Sequence, residues 1–406
     1  MTHGFKQLLK YWVLGMAWFF LLLWPLIGIG PQGLKFEATF KIVGLVALAS
    51  ILCLAVWRLN QRSALDWLTG PAGAASSAIS RAVGKAPRWL SFGLLFAGAF
   101  VIPFVADRYV LDVTINVLIY VCLGLGLNIV VGLCGLLDLG YIAFYGVGAY
   151  TYALLSLNFG LPFWLCLPLA AILAAAAGCV IGYPTLRMRG DYLAIVTLGF
   201  GEIVRIVLNN WMSLTKGPNG LLGISPPAVW RPSFGDGFNF ELLHLRKLPH
   251  LYWVILGLTV FTIVAVYRLN HSRIGRAWEA IREDETAAEL MGVNTFKLKL
   301  LAYAMGAVFG GLAGAFFAAR MRFVSPGSFT FIESAMVLAM VVLGGMASIP
   351  GVFLGALALI ALPEAFRDFE QYRMLAFGAA MVVMMLFRPK GLIPAPRFGS
   401  RSEERH

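Results

Sequence analysis

The sequence predicts an all-α polytopic membrane protein. Three observations carry that prediction. Of 406 residues, 60% are hydrophobic and 13% are charged, where a soluble chain carries about 25% charged residues. The apolar residues fall in long runs, and a bilayer core about 30 Å thick takes roughly 20 apolar residues per helix. The runs are also continuously apolar, whereas the strands of a closed barrel are short and alternate in polarity.

In chain order, candidate spans lie at 11–30, 40–58, 90–107, 109–132, 141–158, 163–183, 190–211, 251–269, 300–319, 334–346, 350–363 and 374–387. The first follows Lys6 and Lys10 without a small-residue cleavage site and reads as a retained span. The runs at 334–346 and 350–363 are short, and could be half-helices of one re-entrant hairpin, so about 10–12 spans are expected. Residues 1–58 form an N-terminal pair of spans, 59–89 a Gly/Ala/Ser-rich linker, 90–397 the core and 398–406 a tail. The stretch 212–250 is the longest external loop, rich in Pro, Gly, Asn and Trp, and expected to be irregular. Within it, GPNG at 217–220 is a tight-turn sequence.

Orientation follows from counting Lys and Arg. With a cytoplasmic N-terminus the cytoplasmic segments hold 20, the external segments 11 and the spans one, Arg205. That bias places both termini in the cytoplasm. It also accounts for the net charge of +12 without nucleic acid as a partner. Cys53, Cys122, Cys134, Cys166 and Cys179 form no CxxC pair and read as small reduced hydrophobes. Glycines at 306, 310 and 314, and at 351 and 355, repeat every fourth residue, a spacing that lets membrane helices pack closely.

Enzyme chemistry has little support. There is no GxxxxGK[ST], since Gly84-Lys85-Ala86 lacks the hydroxyl residue and the upstream glycine. HExxH and GxSxG are missing, and the five histidines are scattered outside the spans. No metal and no cofactor are expected in this chain.

The densest charge lies from Arg268 to Lys299, with six Lys/Arg and five Asp/Glu. From Gly275 to Met291 the pattern fits one helix, with Trp278, Ile281, Ala288 and Met291 near helical spacing. Ser272 suits its start, and Gly292 followed by Asn294 its stop. A short helix with Ala287 and Ala288 exposed suits a groove on a soluble partner. Its five acids argue against lying on anionic lipid.

Within the spans, Glu202 and Arg205 are three residues apart and share a helix face. Intramembrane charges face a cavity or one another, so the two either line a pathway or pair together. Asn128, Thr197 and Glu333 are further pathway candidates. Glu364, Arg367, Asp368 and Glu370 form an external charged patch after Pro363 that could dock a partner.

ETAAELMG, Glu285 to Gly292, resembles the EAA loop of ABC-importer permeases. The flanking GRAWEAIREDETAAELMGVN resembles the version in branched-chain amino acid permeases. GLGLNIVVGLCGLLDLGYIAFYGVGAY (124–150), RGDYLAIVTLGFGEIVRIVLNN (189–210), GPNG (217–220), FVSPGSFTFIESAMVLAMVVLGGMAS (323–348) and RPKGLIP (388–394) are similar to the LivM-type permease family. The resemblance implies an ABC-importer transmembrane domain with a cytoplasmic coupling helix in the loop 270–299. It implies a second, LivH-like permease, two LivG/LivF-like ABC ATPases and a periplasmic protein delivering Leu, Ile or Val. ATP and Mg would be bound by the ATPases, and the membrane would be the bacterial inner membrane. By the same resemblance Glu285, Ala287, Ala288 and Gly292 dock in an ATPase groove, with Arg276, Trp278, Glu279 and Arg282 beside them. The alternatives are a permease for urea or short amides, an ion-coupled carrier, and a scaffold without transport.

Overall fold

The computed structural model describes residues 107–361 apart from 189, 234–238 and 246, together with 29–30, 33–34, 103, 378 and 391–393. The linker 59–89, the span expected at 40–58 and the tail 398–406 lie outside the described residues, as do most of the spans expected at 11–30, 90–107 and 374–387. The chain divides into two units, Met1–Phe100 and Val101–His406. In the first, β1 (Ile29–Gly30) pairs antiparallel with β2 (Gly33–Leu34).

The second unit is built around α1 (Arg108–Asn128), which runs on through a π-helical turn, Ile129–Leu133. Beyond Tyr120 its sequence is apolar on every face, and a helix of that kind is stable only when surrounded. Ile115, Val121, Cys122, Leu123, Leu125 and Leu127 are all fully buried. A bend through Gly135 (φ +76) leads to α2 (Ile142–Phe159), which stops at Gly160 in the left-handed region. Then come α3 (Phe163–Thr185) and α4 (Asp191–Asn210).

The GPNG segment forms a 3-10 turn, Gly217–Asn219, leading into β3 (Leu221–Leu222). The rest of the loop expected to be irregular contains a hairpin, β4 (Ala228–Ser233) with β5 (Asn239–His244), in register from Ala228↔His244 to Ser233↔Asn239. Next are α5 (Leu248–Asn270), α6 (Arg273–Glu283), α7 (Glu285–Leu290) and α8 (Thr295–Met321). After α8, β6 (Phe323–Val324) pairs with β3. The described chain ends in α9 (Phe331–Gly344) and α10 (Ile349–Ala356), the latter extended by a π-helical turn to Ala361.

Among the described residues six helical segments are long and apolar enough to cross a membrane: Arg108–Leu133, Phe163–Thr185, Tyr192–Asn210, Leu248–Asn270, Thr295–Met321 and Pro326–Gly344. The short runs expected at 334–346 and 350–363 form a close helical hairpin. A Cβ on Gly344 would lie 2.1 Å from the Gly351 carbonyl oxygen, and one on Gly355 2.2 Å from that of Met340. The N–H groups of Leu392 and Ile393 donate to the carbonyls of Leu343 and Gly344 at 2.9 and 3.0 Å. Those carbonyls end α9 and have no partner within the helix. Leu392 and Ile393 therefore seal the hairpin tip.

The spacing of Gly306, Gly310 and Gly314 on α8 lets neighbouring backbones approach. A Cβ on Gly314 would lie 2.0 Å from the Tyr145 carbonyl of α2, and one on Gly306 2.6 Å from Val130. With α1, α2 and α3 around it, α8 forms the second axis of the core.

Candidate functional site

The charged strip folds as two short helices rather than the single one expected over 275–291. Ser272 caps α6, its Oγ accepting the Gly275 N–H at 3.2 Å. The break comes at Asp284, whose extended backbone and Oδ1 cap α7 by accepting the N–H groups of Thr286 and Ala287 at 2.8 and 3.0 Å. Asp is among the best N-cap residues, and that local preference ends α6 and starts α7. The stop at Gly292 follows the expectation. With φ +84, Gly292 donates to Glu289 O at 2.9 Å while Val293 donates to Ala288 O at 3.1 Å, the Schellman arrangement.

Three contacts key this pair of helices to the bundle. Trp278 is fully buried and its Nε1 donates to Leu298 O in the first turn of α8 at 2.8 Å. Arg282 donates through Nη1 to Gly132 O, at the π-helical end of α1. A cation there also meets the negative end of the helix dipole. The Lys299 ammonium of α8 pairs with Glu285 at 2.5 Å, its own side chain only 7% exposed. Burial pushes the neighbouring Cys134 thiol up to about 12, against the pull of Lys299, so it stays a neutral, apolar filler.

The outward surface differs from the sequence reading. Ile281 and Ala288 turn inward with Trp278, and Ala288 is 5% exposed, so Ala287 alone of the alanine pair faces out. Met291 does not share the buried face. It is 85% exposed and Leu290 84%, forming an apolar tip. Arg276 is exposed, while Glu279 and Arg282 are half-buried. The sequence reading missed Lys299 and Gly132, because pairing across distant segments leaves no local trace. Asp284 carried a legible capping signal.

Within the bundle, Asn128 and Thr197 act as brackets. Asn128 is 1% exposed and its Oδ1 accepts the Ala347 N–H at 2.8 Å, tying α1 to the hairpin tip. Thr197 Oγ1 accepts the Leu139 N–H at 3.1 Å and donates to Ala194 O. Glu202 and Arg205 pair with each other at 2.7 Å, both about one-third exposed. Glu202 also borders a narrow crevice with Leu139, Leu198 and Ser334. Glu333 accepts the Tyr120 hydroxyl at 2.5 Å. Asp138, which the sequence reading passed over, is fully buried. Its Oδ1 accepts the Gly140 N–H at 2.9 Å. The structure thus brings Arg282 and Glu285 to the core helices at one end, while Glu333 meets α1 at Tyr120 and Glu202 and Arg205 pair with each other on α4. Glu364, Arg367, Asp368 and Glu370 lie outside the described residues. Among the described residues no cluster of His, Cys, Asp or Glu could hold a metal ion.

A rigid pair of helices anchored on two core helices, with an apolar tip turned outward, can pass force between a partner and the bundle. Comparison with known proteins is consistent with that arrangement. A family model described as "Branched-chain amino acid transport system / permease component" matches residues 109–387. Over 307 residues the chain is 50% identical to the high-affinity branched-chain amino acid transport system permease protein LivM of Escherichia coli (strain K12), covering 73% of this chain and 72% of that protein. It is 26% identical to the probable branched-chain amino acid transport permease protein LivM of Methanocaldococcus jannaschii, covering 67% and 84%. The corresponding permease protein LivH of Salmonella typhimurium is also 26% identical, covering 68% and 92%. No solved structure matches the chain significantly. With its apolar helices, the chain is a multi-pass membrane protein, and it belongs to the family of branched-chain amino acid transport permease components.

Proposed function

We propose that this chain is one of two permease subunits of an ATP-driven importer that carries leucine, isoleucine and valine across the inner membrane into the cytoplasm. The 50% identity to a LivM permease supports the cargo. Likeness to both LivM and LivH proteins supports a second permease of related fold beside this one. The observation that carries the reading is the exposed Leu290–Met291 tip on helices keyed to α1 and α8.

In this reading the tip, with Ala287 beside it, sits in a groove on one of two ATPase subunits. Those subunits hold ATP and Mg, for which this sequence has no phosphate-cradling loop. The excess of Lys and Arg on one set of loops puts α6 and α7, with both termini, in the cytoplasm. A periplasmic binding protein delivers the amino acid at the other face, and the charges of Glu364, Arg367, Asp368 and Glu370 are its proposed contact. ATP binding moves α6 and α7 as one lever. The Arg282–Gly132 and Glu285–Lys299 contacts pass the movement to α1 and α8. Such a movement drives transport by stabilising one cavity orientation over the other.

Uptake of radiolabelled leucine into proteoliposomes carrying all subunits tests the cargo. Isoleucine and valine should compete and urea should not. Competition by urea alone, or uptake driven by an ion gradient without the ATPases, would contradict the proposal.

A further inference from the structure

At the end of α1 away from Gly132 lies a set of polar side chains that the coupling contacts do not use. Asp112, Asn116 and Tyr120 are four residues apart and form one stripe on α1. Arg320, at the last turn of α8, reaches across to Asp112 Oδ1 at 2.7 Å and to Asn116 Oδ1. Tyr120 donates to Glu333 in the first turn of α9 at 2.5 Å. From Asp112 to Gly132 the helix rises about 30 Å, so this cluster and the coupling helices sit at opposite ends of the bundle.

The charges of the cluster do not balance. Arg320 is one cation, and Asp112 and Glu333 are two carboxylates. Arg320 is already matched by Asp112, its side chain only 5% exposed. Among the described residues Glu333 has no ion-pair partner. A neutral phenol and the α9 N-terminus hold its carboxylate, and neither supplies a full positive charge. Tyr145, Phe317 and Phe329, the last just before α9, pack together with ring centroids 5.3 to 6.2 Å apart. Beside them, Phe331 and Ile332 are 39% and 69% exposed, an open apolar shelf. An ionisable group left short of a counter-charge inside a membrane protein marks a functional site.

We propose that Glu333, with Tyr120 beside it, receives an aliphatic amino acid at the mouth opposite the coupling helices. Glu333 takes the ammonium, and the side chain lies on Phe331 and Ile332. Asp112 and Asn116 occupy the buried Arg320 guanidinium, so the charge left for the substrate is that of Glu333. The inference rests on the amino acid import reading.

Photo-leucine, the diazirine analogue of leucine, tests it in the complete complex. The analogue is delivered by the binding protein, irradiated during turnover and its adducts mapped by mass spectrometry. Adducts should fall on peptides containing Tyr120 or Phe331–Glu333, and excess leucine should abolish them. Glu333→Gln keeps an acceptor for Tyr120 and should lower their yield at least fivefold, with partial recovery in Glu333→Asp. Leucine uptake without adducts on these peptides, or an unchanged yield in Glu333→Gln, overturns the proposal. A wild-type complex that takes up no leucine fails the import reading itself.

Discussion

Asp138 is fully buried between α1 and α4, and loss of hydration pushes its carboxyl up from 3.8 to about 6. The N–H of Gly140 and the hydroxyls of Tyr303 and Thr197 oppose the shift without cancelling it. A carboxyl whose folded pKa is raised stabilises the fold when protonated. That contribution is complete below about 4 and is lost as pH rises through 6, where the charged form costs about 3 kcal/mol. Asp138→Asn should therefore melt at a higher temperature than the parent at pH 8 in detergent. It should also lose the parent's gain in stability between pH 8 and pH 5. A parent whose melting temperature does not rise over that range would contradict this account. At this scale the sequence was informative where the cause is local. The caps at Ser272 and Gly292 depend on neighbouring residues alone and were legible. The orientations of Ala288 and Met291 were not, because the break at Asp284 resets the helical phase between α6 and α7.

Helices α6 and α7 hold together through contacts made outside themselves. Lys299 is 6% exposed and Glu285 is its ion-pair partner. Removing one partner of a buried pair leaves an uncompensated charge at a cost of about 3 kcal/mol. Glu285→Lys goes further and sets two ammonium groups together. It should lower the melting temperature and speed amide exchange across 285–293, and adding Lys299→Glu should restore both. Unchanged exchange in Glu285→Lys would rule out the brace. The helical spans were legible because continuous apolarity identifies them without knowledge of their neighbours. The β4–β5 hairpin was hidden by its Pro-, Gly- and Asn-rich composition. The stripe of Asp112, Asn116 and Tyr120 was visible as spacing on α1, but its partner Arg320 lies 208 residues away, and sequence periodicity carries no register between distant helices.

Across the whole described bundle, α1 and α8 are joined at both ends. At one end Arg282 grips the last turn of α1, while Glu285 and Trp278 grip the first turn of α8. At the other end Arg320 of α8 holds Asp112 of α1. Between these ties the glycines of α8 bring it into close contact with α1 and α2. In the proposed importer, a push on α6 and α7 would act on both core helices at once and reach the charged cluster at their far ends. The importer class was legible from the ETAAELMG strip and the missing phosphate loop. The mechanical circuit was not, since each of its ties spans residues far apart in sequence.

In the proposed importer the Leu290–Met291 tip couples an ATPase to amino acid movement. ATP hydrolysis and leucine uptake, measured together in proteoliposomes carrying the complete complex, test it most directly with Leu290→Asp/Met291→Asp. Both residues are more than four-fifths exposed, so the substitution should leave the fold intact. The account predicts that uptake falls at least tenfold and that loaded binding protein no longer stimulates hydrolysis, with the chain still inserted in the membrane. Uptake and stimulation at the parent's level would contradict it.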